Sequence, residues 1–399
     1  MFFIKIVHFL LLFPFLIIIK IISSIFLIRW HELTTSRIGH LALETDLYCC
    51  QKFHQMNSPN RMHLDIFFPQ KKISNNFIYK LWKRKLIILP RFLIAPLCSM
   101  NRRLSKLLGT KDQHELIFDL GMWDSLNLIE KTPRYMHLNQ KEKLKGEKIC
   151  KIFNIPLDKK IVTLIIRDNN YLLREHPDKD FSYFDYRNYK YECFISAIKK
   201  LIELDYFVIK IGKYPEKEFP FYDKNFLDYS YNGYNNDFFD IYLLDKAFFT
   251  ISSGAGLQEI AKLFRKHLVQ LEITMAALAT NSKKYLVLNK NIFNKLSDRK
   301  MTLKEIIKSG CHKYMEKELF DKNELTVKDN TEEEILDITY EMHLLANNIS
   351  YYSKEDHILQ ERFKNIYPKD DFWQNYKMHG KIMANYSINY LRKNKFWLE

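Results

Sequence analysis

Phe248-Phe249-Thr250-Ile251-Ser252-Ser253-Gly254-Ala255-Gly256-Leu257-Gln258-Glu259-Ile260-Ala261 reads as a short buried strand, a turn of small residues and then an amphipathic helix. A helix N-terminus leaves backbone N–H groups unpaired and carries partial positive charge, so such a turn is a natural seat for a phosphate or carboxylate. Ser252, Ser253, Gly254 and Gly256 allow close backbone approach and supply hydroxyl donors. Glu259 lies one helical turn in, where a sugar hydroxyl could bond to it. The competing reading is an ordinary tight strand-to-helix turn, and the flanking segments have to decide between the two.

Those segments repeat the pattern. Ile161 to Ile166 is a continuous apolar run of buried-strand length, ending in Arg167-Asp168. A polar, aromatic loop follows, with Asp185-Tyr186-Arg187-Asn188 at its end. Glu192 to Leu204 carries Phe194, Ile198, Leu201 and Ile202 at one-face helical spacing. Tyr206 to Ile211 predicts a second strand, ending in Gly212-Lys213, and Phe238 to Asp245 a short helix. After the quoted stretch, with its helix at Leu257 to Phe264, His267 to Leu271 predicts a fourth strand. Strands alternating with helices across short connections imply an α/β domain with a parallel, helix-covered sheet. Ligands of such sheets bind beyond the carboxyl ends of the strands. Arg167 and Asp168, Gly212 and Lys213, and Ser252 to Gly254 all fall at those ends. Cations at two strand ends and an amide-rich turn at a third would cradle a diphosphate. Arg187 either pairs locally with Asp185 or reaches the same cleft.

The chain has 399 residues and a net charge of +15, and 47% of it is hydrophobic. Two domains and ample core are expected from that length. The charge favours anionic partners. No compact Lys/Arg run with interleaved aromatics marks a nucleic-acid face. The six cysteines, at 49, 50, 98, 150, 193 and 311, have no CxxC pairing, and no metal motif such as HExxH occurs.

Phe2 to Ile28 is mostly apolar, interrupted by Lys5, His8, Pro14 and Lys20. Its longest run without a charged residue, Ile6 to Ile19, is shorter than the ~20 residues a spanning helix wants. A signal anchor, a cleaved signal peptide and an interfacial helix are the open readings, with attachment at one membrane face favoured. Arg29 and Trp30 would suit the headgroup level. Ser36-Arg37-Ile38-Gly39-His40-Leu41-Ala42 then opens a first folded domain, with a helix at Leu41 to Gln51. His40 is placed either as a general base or as a packing histidine. Strands are expected at Leu64–Phe68, Leu86–Leu89 and Leu116–Leu120, and helices at Ile94–Leu108 and Glu142–Phe153, the last closing this domain. Thr331-Glu332-Glu333-Glu334 is a capping box opening a helix. Asp371 to Glu399, aromatic and basic, predicts a helical segment that packs back on the molecule.

Taken in order, Arg167-Asp168 with Tyr171-Leu172, Asp185-Tyr186-Arg187-Asn188, Gly212-Lys213, Asp240-Ile241-Tyr242-Leu243, Ser252 to Leu257 and Phe264-Arg265-Lys266 resemble a family of bacterial glycosyltransferases associated with surface-polysaccharide gene clusters. Ser36 to Leu41 resembles its N-terminal signature. The resemblance spans roughly residues 36 to 310. The family is distantly similar to GT-B enzymes, including a fucosyltransferase-like group. The resemblance implies two Rossmann-like domains facing a cleft: an acceptor-side domain at 31–150 and a nucleotide-sugar domain at 151–330. Residues 1–30 would be the membrane-associated segment and 331–399 the C-terminal helical segment. It further implies sugar transfer from a nucleotide-sugar to a surface glycan or lipid-linked acceptor at the cytoplasmic face of the inner membrane, with no metal or other cofactor. Arg167, Arg187, Gly212, Lys213, Ser252, Ser253, Gly254, Gly256 and Glu259 would hold the donor, and His40 or Asp168 would be the base. An inactive scaffold of a polysaccharide assembly complex, or another transferase acting on a phosphorylated substrate, are the alternatives.

Overall fold

The structure, a computed structural model, describes residues 2–175, 177–234, 236–272, 281–368, 372–373 and 376–399; the side chains of 2–10 and 373, and so those of Lys5, His8 and Trp373, lie outside that description. The chain divides into two compact units, Met1–Met122 and Trp123–Glu399, each with a parallel sheet.

The first unit runs helix α1 (Phe2–Ile22), strand β1 (Phe26–Leu33), α2 (Ile38–Phe53), β2 (Met62–Pro69), α3 (Asn76–Trp82), β3 (Ile87–Ile88) and α4 (Arg91–Leu107). The three strands lie side by side in chain order, all parallel. Strand β1 corrects the expectation for Arg29 and Trp30. They are not at an interface but inside this sheet, Trp30 being 4% exposed beside Leu16, Phe68 and Ile94. Arg29 sends two N–H groups, from Nε and Nη2, to Asp65 at 2.7 and 2.8 Å, and Tyr48 donates to the same carboxylate at 2.6 Å. A guanidinium is tolerated in a buried strand only when its fork is met in this way. The strand expected at Leu116–Leu120 is reduced to a single parallel bridge, Trp30 with Glu115. Helix α1 does not stand clear of the unit; Leu12, Leu16 and Ile19 pack against α4 through Ile94, Leu97 and Cys98. Among the described residues no helix is long and apolar enough to cross a membrane.

The second unit opens with α5 (Leu128–Lys131) and α6 (Gln140–Ile152). There follow β4 (Lys160–Ile165), α7 (Asn170–Glu175), α8 (Ile195–Glu203), β5 (Tyr206–Lys210), β6 (Phe226–Asp228), α9 (Asp237–Lys246), β7 (Phe249–Ser252), α10 (Gln258–Leu263), β8 (His267–Glu272) and β9 (Tyr285–Asn289). Helix α6 belongs here rather than closing the first domain, because it packs on α9. Gly146 permits that contact: a Cβ there would sit 2.1 Å from the Tyr242 ring.

The strand order is Asn385–Tyr386, β9, β8, β7, β4, β5, β6, and every neighbouring pair is parallel. The chain builds outward from β4 through β5 to β6, then crosses back to lay β7, β8 and β9 on the other side of β4. β4, β5, β7 and β9 are buried along nearly their whole length, as expected of strands covered on both faces. Helix Glu332–Ala346, opened by the Thr331–Glu334 capping box, packs on this sheet. The C-terminal segment does pack back. Gln360, on helix Lys354–Ile366, donates to the Tyr386 carbonyl at 2.7 Å and accepts from its amide at 3.1 Å, and Tyr386 and Trp397 are buried.

Candidate functional site

The chain crosses over between β4 and β7, and the carboxyl ends of the strands at such a crossing are where ligands of doubly wound sheets generally sit. Register sets Ile165 opposite Ser252. The Ser253 amide donates to the Ile165 carbonyl at 3.0 Å, and the Arg167 amide donates to Ser253 Oγ at 2.8 Å. Ser253 thus locks the two strand ends together. Gly254 has φ +84°, and a Cβ on it would lie 2.5 Å from Oε2 of Glu272, at the end of β8. Both the conformation and the space require glycine. Helix α10, at six residues, contributes little dipole. The amides of Ala255, Gly256 and Leu257 nevertheless make no hydrogen bond within the described residues, and Gly256 is exposed.

Two guanidiniums meet at this turn. Arg167 and Arg187 stand 5.6 and 5.5 Å from the Phe184 ring. The Nε of each is buried without a hydrogen-bond partner among the described residues, as is Oε2 of Glu272. Burial, and next the neighbouring Arg187 charge, bring Arg167 down to about 10. Burial pushes the Glu272 carboxyl up, against the pull of Arg187. Two clustered cations facing one buried carboxylate leave an excess of positive charge that a bound anion would offset. The loop bearing Arg187 is pinned: Lys290 donates to the Tyr186 and Asn188 carbonyls at 2.8 and 2.6 Å and to Asp329 at 2.6 Å. Glu272 and Lys290 were not singled out in the sequence; an acid closing the apolar strand HLVQLE was the available signal for the first.

The other expected residues are placed differently. Lys213 follows β5 and Gly212, whose φ is +146°, but its ammonium pairs with Asp237 at 2.7 Å. Burial opposes its charge, and Asp237 more than restores it, so its pKa is raised. No hydrogen bond or ion pair links Lys213 to the Arg167 group among the described residues. Glu259 is buried and held by Lys262 at 2.9 Å, so it does not present a free carboxylate to a sugar. Asp168 accepts from the Asn170 amide at 3.0 Å and from Tyr191 OH at 3.1 Å. His40, in the first unit, bonds through Nδ1 to Glu44 at 2.7 Å, one helical turn on, and its side chain is 32% exposed. That is a histidine oriented by a carboxylate, a suitable arrangement for a general base. Among the described residues no group of three His, Cys, Asp or Glu side chains could hold a metal ion.

No protein-family model matches the chain, and no curated protein matches it significantly. Solved structures do. ADP-heptose lipopolysaccharide heptosyltransferase II of E. coli is 12% identical, with TM-score 0.41, over 65% of this chain and 90% of that one. A glycosyl transferase of family 9 from Veillonella parvula is 9% identical, with TM-score 0.46, over 80% of this chain and 97% of that one.

Proposed function

We propose that the chain is a GT-B-like glycosyltransferase that moves a sugar from a nucleotide-sugar to a bacterial surface glycan or its lipid-linked precursor. The observation that carries this reading is the excess positive charge of Arg167 and Arg187 at the crossing point of a doubly wound sheet, beside a turn with free amides. A nucleoside diphosphate leaving group develops charge as the glycosidic bond breaks, and donors already aimed at it lower the barrier. Arg187 and Arg167 would hold the diphosphate, Ser252, Ser253, Gly254 and Gly256 would line its seat, and no metal would be needed. The ordered segments that resemble surface-polysaccharide glycosyltransferases support the same reaction. His40, oriented by Glu44, would take the proton of the acceptor hydroxyl, with Asp168 the second choice of base.

Attachment to the cytoplasmic face of the inner membrane would be by helix α1 lying on the lipid surface. Leu11, Phe15, Ile18 and Ile21 are 62%, 59%, 55% and 71% exposed along its outer side, an apolar stripe fit for the headgroup boundary. A transfer assay with a panel of labelled nucleotide-sugars and a lipid-linked acceptor tests the reaction. One donor is expected to be turned over, and Arg167→Ala to lower its kcat/KM by about 100-fold or more. Transfer at the wild-type rate by that variant would rule the site assignment out.

A further inference from the structure

The Phe264-Arg265-Lys266 segment is not used by the site at the carboxyl ends of the strands. It lies at the opposite end of the sheet, where β8 begins. A strand of β4's length spans about 20 Å, so the two ends are well separated. At the amino ends of β4, β7 and β8 the structure has a depression of about 450 Å³. Six basic side chains line it, Lys159, Lys160, Lys246, Arg265, Lys266 and His267, against one acid, Asp158.

Three of the six are committed to the protein. Lys159 pairs with Asp205 at 2.6 Å. Lys160 bonds to Asn347 at 2.6 Å and lies over the Phe248 ring. Arg265, at φ +57°, turns its guanidinium back to the Lys262, Leu263 and Thr132 carbonyls. The other three, Lys246, Lys266 and His267, make no side-chain hydrogen bond or ion pair among the described residues. Lys266 is half-buried, and the carboxylate it senses, Asp245, is already held by Arg134. A half-buried ammonium with no hydrogen-bonded partner is costly to keep charged.

We propose that this depression is a second anion site, distinct from the donor site, which binds a phosphate-bearing group through Lys246, Lys266 and His267. Its volume admits a phosphate or diphosphate with several waters, at about 30 Å³ per water. The low pKa values agree: burial brings Lys266 to about 8 and, with Lys284 and Lys266 nearby, His267 to about 4. The Lys266 charge is thus costly at rest and would be relieved when an anion arrives, while His267, neutral, would donate a ring N–H. The inference stands apart from the proposed sugar transfer, since it uses none of the same residues.

Inorganic pyrophosphate, titrated calorimetrically into the full-length protein, tests it. To keep the donor site out of the signal, the titration is repeated on Arg167→Ala. Binding should survive in Arg167→Ala and weaken at least about tenfold when Lys246→Gln/Lys266→Gln is added to that variant. The exposed Lys246→Glu guards against a folding artefact and should weaken binding as well. Phosphatidylglycerol vesicles added to the cell distinguish the source of the phosphate. Vesicles that weaken pyrophosphate binding support the site and point to a lipid headgroup; vesicles without effect, with the binding itself intact, support it and point to a free phosphate compound. The proposal is overturned if wild-type protein does not bind pyrophosphate, if the lysine variants bind as wild type does, or if binding disappears in Arg167→Ala alone.

Discussion

Gly254 shows how narrowly a single position can be set. Its positive φ and the Glu272 carboxylate pressed against it both forbid a side chain. Gly254→Ala should therefore lower stability by about 1–3 kcal/mol, read by chemical denaturation, and should also weaken nucleotide binding because the turn must shift. Ser253 acts differently, by accepting the Arg167 amide. Ser253→Ala leaves that amide unpaired at a cost of about 1–3 kcal/mol, and the expected readout is a loss of nucleotide affinity larger than the loss of melting temperature would explain. Glu272, unlike Arg187, was not legible in advance. It lies far from Arg167 along the chain, and only the strand order puts the end of β8 beside the turn after β7. The Ser252–Gly256 turn and Arg167 were legible because each directly follows an apolar run that could only be a buried strand.

At the scale of elements, β4, β5, β7 and β8 were legible for that reason, whereas β1 was not. Its apolar residues continue those of α1, and the alternation in FLIRWHEL is lost beside so greasy a neighbour. β6 escaped because it is only Phe226–Asp228 and sits among polar residues. α9 carries its own test. Asp240 is buried there, and desolvation, opposed by Lys213, raises its carboxyl to about 7. A raised folded pKa means that its contribution to stability is fully present below the unfolded value, near 4, and is lost as pH rises through about 7. Asp240→Asn should accordingly be more stable than wild type at pH 8, by on the order of a few kcal/mol, and so melt higher there, but no higher at pH 4. Melting curves at the two pH values check this; an equal difference at both would refute the assignment.

For the whole molecule, +15 net charge and an exposed apolar stripe on α1 act together. On the proposed attachment, charge would draw the protein to anionic lipid and the stripe would hold it there. Phe15→Glu/Ile18→Glu should cut flotation with phosphatidylglycerol vesicles at least about fivefold without changing the melting temperature, because the inner face of α1, Leu12, Leu16 and Ile19, is untouched. The donor site is the claim on which the proposed reaction depends. Calorimetric titration of nucleoside diphosphates into wild type and Arg167→Ala measures it directly. At least one nucleoside diphosphate should bind the wild type, and bind Arg167→Ala at least about tenfold more weakly. Binding of equal strength to both proteins, or to neither, would contradict the account.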